Sequence, residues 1–167
     1  MKYIITESQH KRLFEEEQKV LHLPDAKLFG GWEGLQGYLE LKGNPLYSLG
    51  NDLDLGYTDS VKSLGNLVSI DGDLLLDGSE IESLGKLTHV GGSLSMISTP
   101  IKTLGNLSSV GRTLFINSSE VESFGNLTSV GSNLFMRDTP VSEKYSEEEI
   151  RQMIHVGKDI HSDDNNL

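Results

Sequence analysis

A repeat solenoid built on a parallel β-sheet, irregular on its convex side and capped by an α-helix at each end, is the fold class this 167-residue sequence predicts. Three observations predict it. Residues 64–83, 84–103, 104–123 and 124–143 align without a gap at a period of 20. Each unit carries an apolar-x-apolar step, which places two apolar residues on one side of a short strand and the residue between them on the other. Glycine occurs 18 times at fixed places against four prolines, which reads as regularly spaced turns and not as a flexible linker.

The four units read LGNLVSIDGDLLLDGSEIES, LGKLTHVGGSLSMISTPIKT, LGNLSSVGRTLFINSSEVES and FGNLTSVGSNLFMRDTPVSE. One coil cannot bury its own apolar side chains, but stacked coils can. Stacking forms ladders of Leu74, Leu94, Leu114 and Leu134 and of Leu76, Met96, Ile116 and Met136, with Ile81, Ile101, Val121 and Val141 completing the interior. Leu67 and Ile70, like Leu87 and Val90, are three apart, which fits an extended or 3₁₀-like convex segment better than a strand. Two less regular coils precede these units, one around Leu39-Glu40-Leu41, Leu46 and Leu49, the other around Leu53-Asp54-Leu55 and Val61. Six coils are expected across residues 35–143.

The ends read as caps. Thr6-x-x-Gln9 is a capping-box pattern opening a helix through Leu23, with Leu13, Phe14, Val20 and Leu21 on one side, so residues 1–34 form an N-terminal strand and helix cap. Ser146 and Glu149 make a second capping box, with three acids favoured by the helix dipole. Ile150, Met153 and Ile154 give that helix its apolar stripe, and Gly157 ends it. Residues 144–157 are the expected C-terminal cap, and 158–167 a flexible tail.

The unit L-x-L-x-x-T-x-I-x-x-L resembles a leucine-rich repeat. The spacing V-G-x-x-L-x-L is closer to the receptor L-domain variety than to the ordinary L-x-x-L-x-L. The resemblance covers residues 35–143 and implies a protein-binding scaffold. Where that family usually has Asn, this chain has Ser79, Thr99, Ser119 and Thr139, whose hydroxyls must then bond the buried turn backbone. The opening Lys2-Tyr-Ile-Ile-Thr-Glu-Ser-Gln9 resembles the start of small bacteriophage proteins.

Composition narrows the function. A net charge of -11 leaves no basic surplus to release counterions from a phosphate backbone, which argues against nucleic acid and favours a protein partner with a basic surface. The same charge also serves solubility. With no cysteine, disulfides, thiolate zinc sites and cysteine nucleophiles are excluded. No stretch approaches the roughly 20 apolar residues of a membrane span, and no apolar signal core is present. A soluble cytoplasmic chain is expected, in the host cytoplasm if phage-encoded, with no membrane contact.

The outward strand positions form the candidate protein-binding surface. The column between the core residues reads Glu40, Asp54, Leu75, Ser95, Phe115, Phe135. The column before it contains Tyr38, Asp52 and Asp73, and the column after it contains Asp77, Ile97 and Arg137. Leu75, Ile97, Phe115 and Phe135 would make an apolar patch of the kind that marks interaction sites. Glu40, Asp52, Asp54, Asp73 and Asp77 would make an acidic N-terminal half, whose neighbouring like charges are easier to explain opposite a cationic partner. The expected function is a non-enzymatic protein-binding adaptor or inhibitor using the concave sheet face. The alternative is a structural subunit that self-associates through the apolar patch.

No enzyme, cofactor or metal is expected. His10, His22, His89, His155 and His161 are scattered, and no phosphate loop or dinucleotide fingerprint occurs. Asp71-Gly-Asp73…Asp77-Gly78 fails the calcium-loop pattern because Leu75 occupies a ligand position. His155, Asp159 and His161 read as a solvated helix end. Asn106-Leu-Ser, Asn117-Ser-Ser and Asn126-Leu-Thr match glycosylation sequons but arise from the repeat itself.

Overall fold

The computed structural model describes residues 20–162 and shows a parallel β-solenoid in which each 20-residue unit closes one rung. A seven-stranded sheet runs, in order, β1 (Leu21–Leu23), β2 (Tyr47–Leu49), β4 (Leu67–Ile70), β6 (His89–Val90), β8 (Ser109–Val110), β10 (Ser129–Val130) and β12 (His155–Val156). A six-stranded sheet runs β3 (Leu53–Asp54), β5 (Leu74–Leu75), β7 (Leu94–Ser95), β9 (Leu114–Phe115), β11 (Leu134–Phe135) and β13 (Ile160–His161). The expected ladders stack in register, with Leu94 between Leu74 and Leu114, and Leu134 beyond. Leu74, Leu94, Leu114 and Leu134 are all fully buried.

The side expected to be irregular, around Leu67 and Ile70, is the seven-stranded sheet. Residues 69–70, 89–90, 109–110 and 129–130 pair with the neighbouring rung. Backbone groups held between rungs are best satisfied by an extended ladder. The extended or 3₁₀-like segment expected at Leu67–Ile70 is a strand, and a tight turn precedes it: the N–H groups of Leu67, Leu87, Leu107 and Leu127 donate to the carbonyls of Leu64, Leu84, Leu104 and Phe124 at 3.1–3.2 Å.

The buried turn hydroxyls bond the turn backbone, as expected. Ser79, Thr99, Ser119 and Thr139 donate to the carbonyls of Leu76, Met96, Ile116 and Met136 at 2.7, 3.0, 2.6 and 2.7 Å. Thr58 does the same for Leu55 at 2.7 Å in the shorter rung before them.

A glycine column follows the seven-stranded sheet. A Cβ on Gly91 would collide with the carbonyl of Asp71, and one on Gly111, Gly131 or Gly157 with the carbonyl of the preceding glycine in the column.

Both ends depart from the sequence reading. Leu21–Leu23 is strand β1 and not the end of a helix, because it pairs in register with Tyr47–Leu49. Residues 1–19, with the Thr6–Gln9 box, lie outside the described residues. Leu39-Glu40-Leu41 is the last turn of helix α1 (Trp32–Leu41), not a strand. Leu35 and Leu39 are buried four residues apart while Leu41 is 87% exposed, so the period is helical.

At the C-terminal end, α2 (Pro140–Lys144) and α3 (Glu147–Met153) occupy the chain between β11 and β12. The expected capping box is present: Glu149 N–H donates to Ser146 Oγ at 3.3 Å, and Ser146 N–H donates to the Glu149 carboxylate at 2.9 Å. That N–H, helped by the Ser146 hydroxyl, holds the Glu149 carboxyl below its ordinary range. Ile150 and Ile154 are buried as the stripe requires, but Met153 is 46% exposed. The helix stops at Met153, and Gly157 instead donates its N–H to Val130 at 2.9 Å. Strands β12 and β13 build a further rung where a helix end and flexible tail were expected, because Val156 and Ile160 continue the buried Val130 and Leu134 ladders. Residues 163–167 lie outside the described residues.

Candidate functional site

The outer face of the six-stranded sheet carries most of the sequence-predicted residues. Its central column runs Asp54, Leu75, Ser95, Phe115, Phe135 and His161 in direct register. Asp52 and Asp73 flank it on one side, and Asp77, Ile97 and Arg137 on the other. Tyr38 and Glu40 are not part of it. Both lie on α1, where Tyr38 packs on Phe29 with ring centroids 4.7 Å apart and Glu40 is exposed.

The apolar members are less open than an unbroken patch would be. Leu75 is 37% exposed, while Ile97, Phe115 and Phe135 are half-buried. Phe115 stacks on Phe135 at 5.0 Å and 12°, and Phe135 stacks on His161 at 4.2 Å and 9°. Ser95 is buried and separates Leu75 from this three-ring stack. Sequence reasoning missed His161 because it pairs with Phe135 across 26 residues, outside the period of 20 that links the earlier rungs.

The acids have structural work that the sequence did not reveal. Asp52 accepts the N–H of Asp73 at 2.8 Å, and Asp73 accepts the N–H of Ser93 at 2.6 Å. Asp77 accepts both the Ser95 hydroxyl at 2.6 Å and the Ile97 N–H at 2.8 Å. Asn117 continues this on the last regular rungs, accepting the N–H of Arg137 at 2.9 Å. These side chains peg one rung to the next, and Asp54 turns back to accept the N–H of Gly56 at 3.0 Å. Rung-to-rung bonding by Asp52, Asp73 and Asp77 therefore offsets part of the repulsion among the acids.

The other sheet carries a polar column that sequence reading also missed: His22, Ser48, Ser69, His89, Ser109, Ser129 and His155. His22 Nδ1 and Ser48 Oγ are 2.6 Å apart, and His89 Nδ1 and Ser109 Oγ 2.7 Å apart. Its middle was legible in the period of 20, which aligns Ser69, His89, Ser109 and Ser129. Neither imidazole has a carboxylate partner among the described residues, so these pairs lack the third, orienting group of a nucleophile relay. His155 lies on β12 of the seven-stranded sheet and His161 on β13 of the six-stranded sheet. Among the described residues, no three His, Asp or Glu side chains are grouped to hold a metal ion. Among them, no helix is long and apolar enough to cross a membrane.

Fold and face together define a parallel β-solenoid with rungs of about 20 residues and an aromatic stack on one sheet. No protein-family model, curated protein or solved structure matches the chain.

Proposed function

We propose that this chain is a non-enzymatic protein-binding scaffold, an adaptor or inhibitor, that docks its partner on the outer face of the six-stranded sheet. The carrying observation is the row of Leu75, Phe115, Phe135 and His161, large side chains held at outward positions of a regular sheet. Aromatic groups presented on a rigid element lose little conformational freedom when a partner covers them. The exposed carboxylates of Asp52 and Asp54 lie toward the other end of the face, which favours a partner with basic residues there. Kinship with leucine-rich repeats belongs to the same proposal. It is supported by the apolar spacing and by the hydroxyls that bond the turns at the family's Asn position. A cytoplasmic setting, in a host cell if the chain is phage-encoded, is proposed on the resemblance of its first residues.

The test is affinity capture from the source organism's lysate with wild type and with the Phe115→Ser, Phe135→Ser double variant, both checked by circular dichroism. Capture of one protein by wild type and its loss in the folded variant is the expected result. Equal capture by both would show that the partner docks elsewhere. Light scattering on the same samples distinguishes the self-associating subunit: an oligomer in wild type that the double variant dissolves would replace the adaptor reading.

A further inference from the structure

An open cleft of about 260 Å³ lies between α1 and the turn that enters β4. It falls just below the roughly 300–1,000 Å³ of pockets for drug-sized ligands, so it suits a small group or a single side chain. Leu39 and Pro45 give it apolar walls, while Gln36, Asn44, Tyr47 and Asn66 supply its side-chain polar groups. Among the described residues, no charged side chain lines it.

Tyr47 is 1% exposed, and its hydroxyl oxygen accepts from Gln36 Nε2 at 3.2 Å. The phenolic proton has no hydrogen-bond acceptor among the described residues. Burial pushes the phenol up to about 12, against a smaller opposing pull from the Gln36 hydrogen bond, so the proton stays in place at neutral pH. Asn66 Nδ2 donates to the Asn44 carbonyl at 2.7 Å, and the side-chain oxygens of Asn66 and Gln36 have no protein donor among the described residues. The Tyr47 phenolic proton and the side-chain oxygens of Gln36 and Asn66 are thus a donor and two acceptors open to a guest, beside the Asn44 amide and the second amide hydrogens of Gln36 and Asn66.

We propose that the cleft binds a neutral primary carboxamide on a short apolar stem. The Tyr47 hydroxyl donates to the amide carbonyl, the oxygens of Gln36 and Asn66 accept from the amide nitrogen, and Leu39 and Pro45 cover the stem. A carboxamide offers an acceptor for the Tyr47 proton and two donors for the oxygens of Gln36 and Asn66, whereas an alcohol brings only one hydrogen. A carboxylate would be desolvated with no cation to meet it. The carboxamide can come from a free small amide or from a Gln or Asn side chain of another protein. The proposal stands apart from the sheet-face reading and shares no residue with it.

The experiment titrates the ¹⁵N-labelled full chain with propionamide, with acetyl-Ala-Gln-Ala-N-methylamide and with propionate. Saturable shifts are expected at the side-chain amides of Gln36 and Asn66 and at the Tyr47 N–H with at least one of the amides. Propionate should not saturate these signals. Tyr47→Phe should weaken amide binding about fivefold, the loss of one neutral hydrogen bond. Tighter binding of propionamide identifies a free small amide as the source, and tighter binding of the peptide identifies a partner's side chain. If Tyr47→Phe does not fold, Gln36→Met on the surface of α1 replaces it, with the same loss expected. No saturable shift with either amide, equal binding of propionate, or unchanged affinity in the folded variant would overturn the proposal.

Discussion

Leu114→Ala should destabilise the solenoid by about 2–5 kcal/mol, the range for truncating a fully buried leucine. Leu114 has no exposed surface and lies between Leu94 and Leu134 in the ladder. In a stack where each rung contacts only its neighbours, a cavity there weakens two rung-to-rung interfaces at once. At about 2–4 °C per kcal/mol for a chain of this size, the melting temperature should fall by roughly 4–20 °C. Urea denaturation is the check, with the midpoint lowered and the slope retained. A change below about 0.5 kcal/mol, the range of surface substitutions, would contradict the stacked core.

Gly111→Ala should cost about 1–3 kcal/mol, as overpacking does where the neighbour cannot yield. The added Cβ meets the carbonyl of Gly91, which is backbone held in the stack, so the rungs must separate locally. Gly105→Ala is the companion variant. Its φ is 56°, but nothing lies within 4 Å of the new Cβ. Its cost should be the left-handed strain alone, about 1–2 kcal/mol. The two variants separate close approach from backbone conformation. Thermal unfolding of Gly111→Ala that matches wild type would show that the rungs can spread without cost.

The readable parts of the fold are those in which one side chain reports one direction. The alternation at Leu74 and Leu76, repeated every 20 residues, gives the six-stranded sheet and its core ladders directly. The hydroxyls at Ser79, Thr99, Ser119 and Thr139 were readable for the same reason: a short polar residue beside a buried turn has few partners other than that turn.

The second sheet was less legible. Its inward residues, Leu67 and Ile70, stand three apart at the two ends of β4, where the register against β2 shifts by one residue, so strand alternation does not describe them. Leu39 and Leu41 look like a strand in isolation, and only the distant burial of Leu35 reveals the helix. The last rung is hidden by the inserted helices α2 and α3, which break the period before Ile160.

At the candidate site, side-chain type located the face but not the use of each group. Leu75, Phe115 and Phe135 point outward as read, and Asp73 and Asp77 lie on the same face. That an Asp oxygen is bonded to the next rung's N–H depends on the spacing between rungs, which a linear sequence does not display. Tyr38 and Glu40 left the site with the helix that carries them.

Site-specific photo-crosslinking tests the docking face most directly. A benzoylphenylalanine at Leu75, exposed on the six-stranded sheet, is compared with one at Ser69 on the outer column of the other sheet. Both proteins are irradiated in lysate of the source organism. A discrete adduct from position 75 and none from position 69 is the result that docking on the six-stranded sheet predicts. An adduct from position 69 alone, or from neither position, would contradict it.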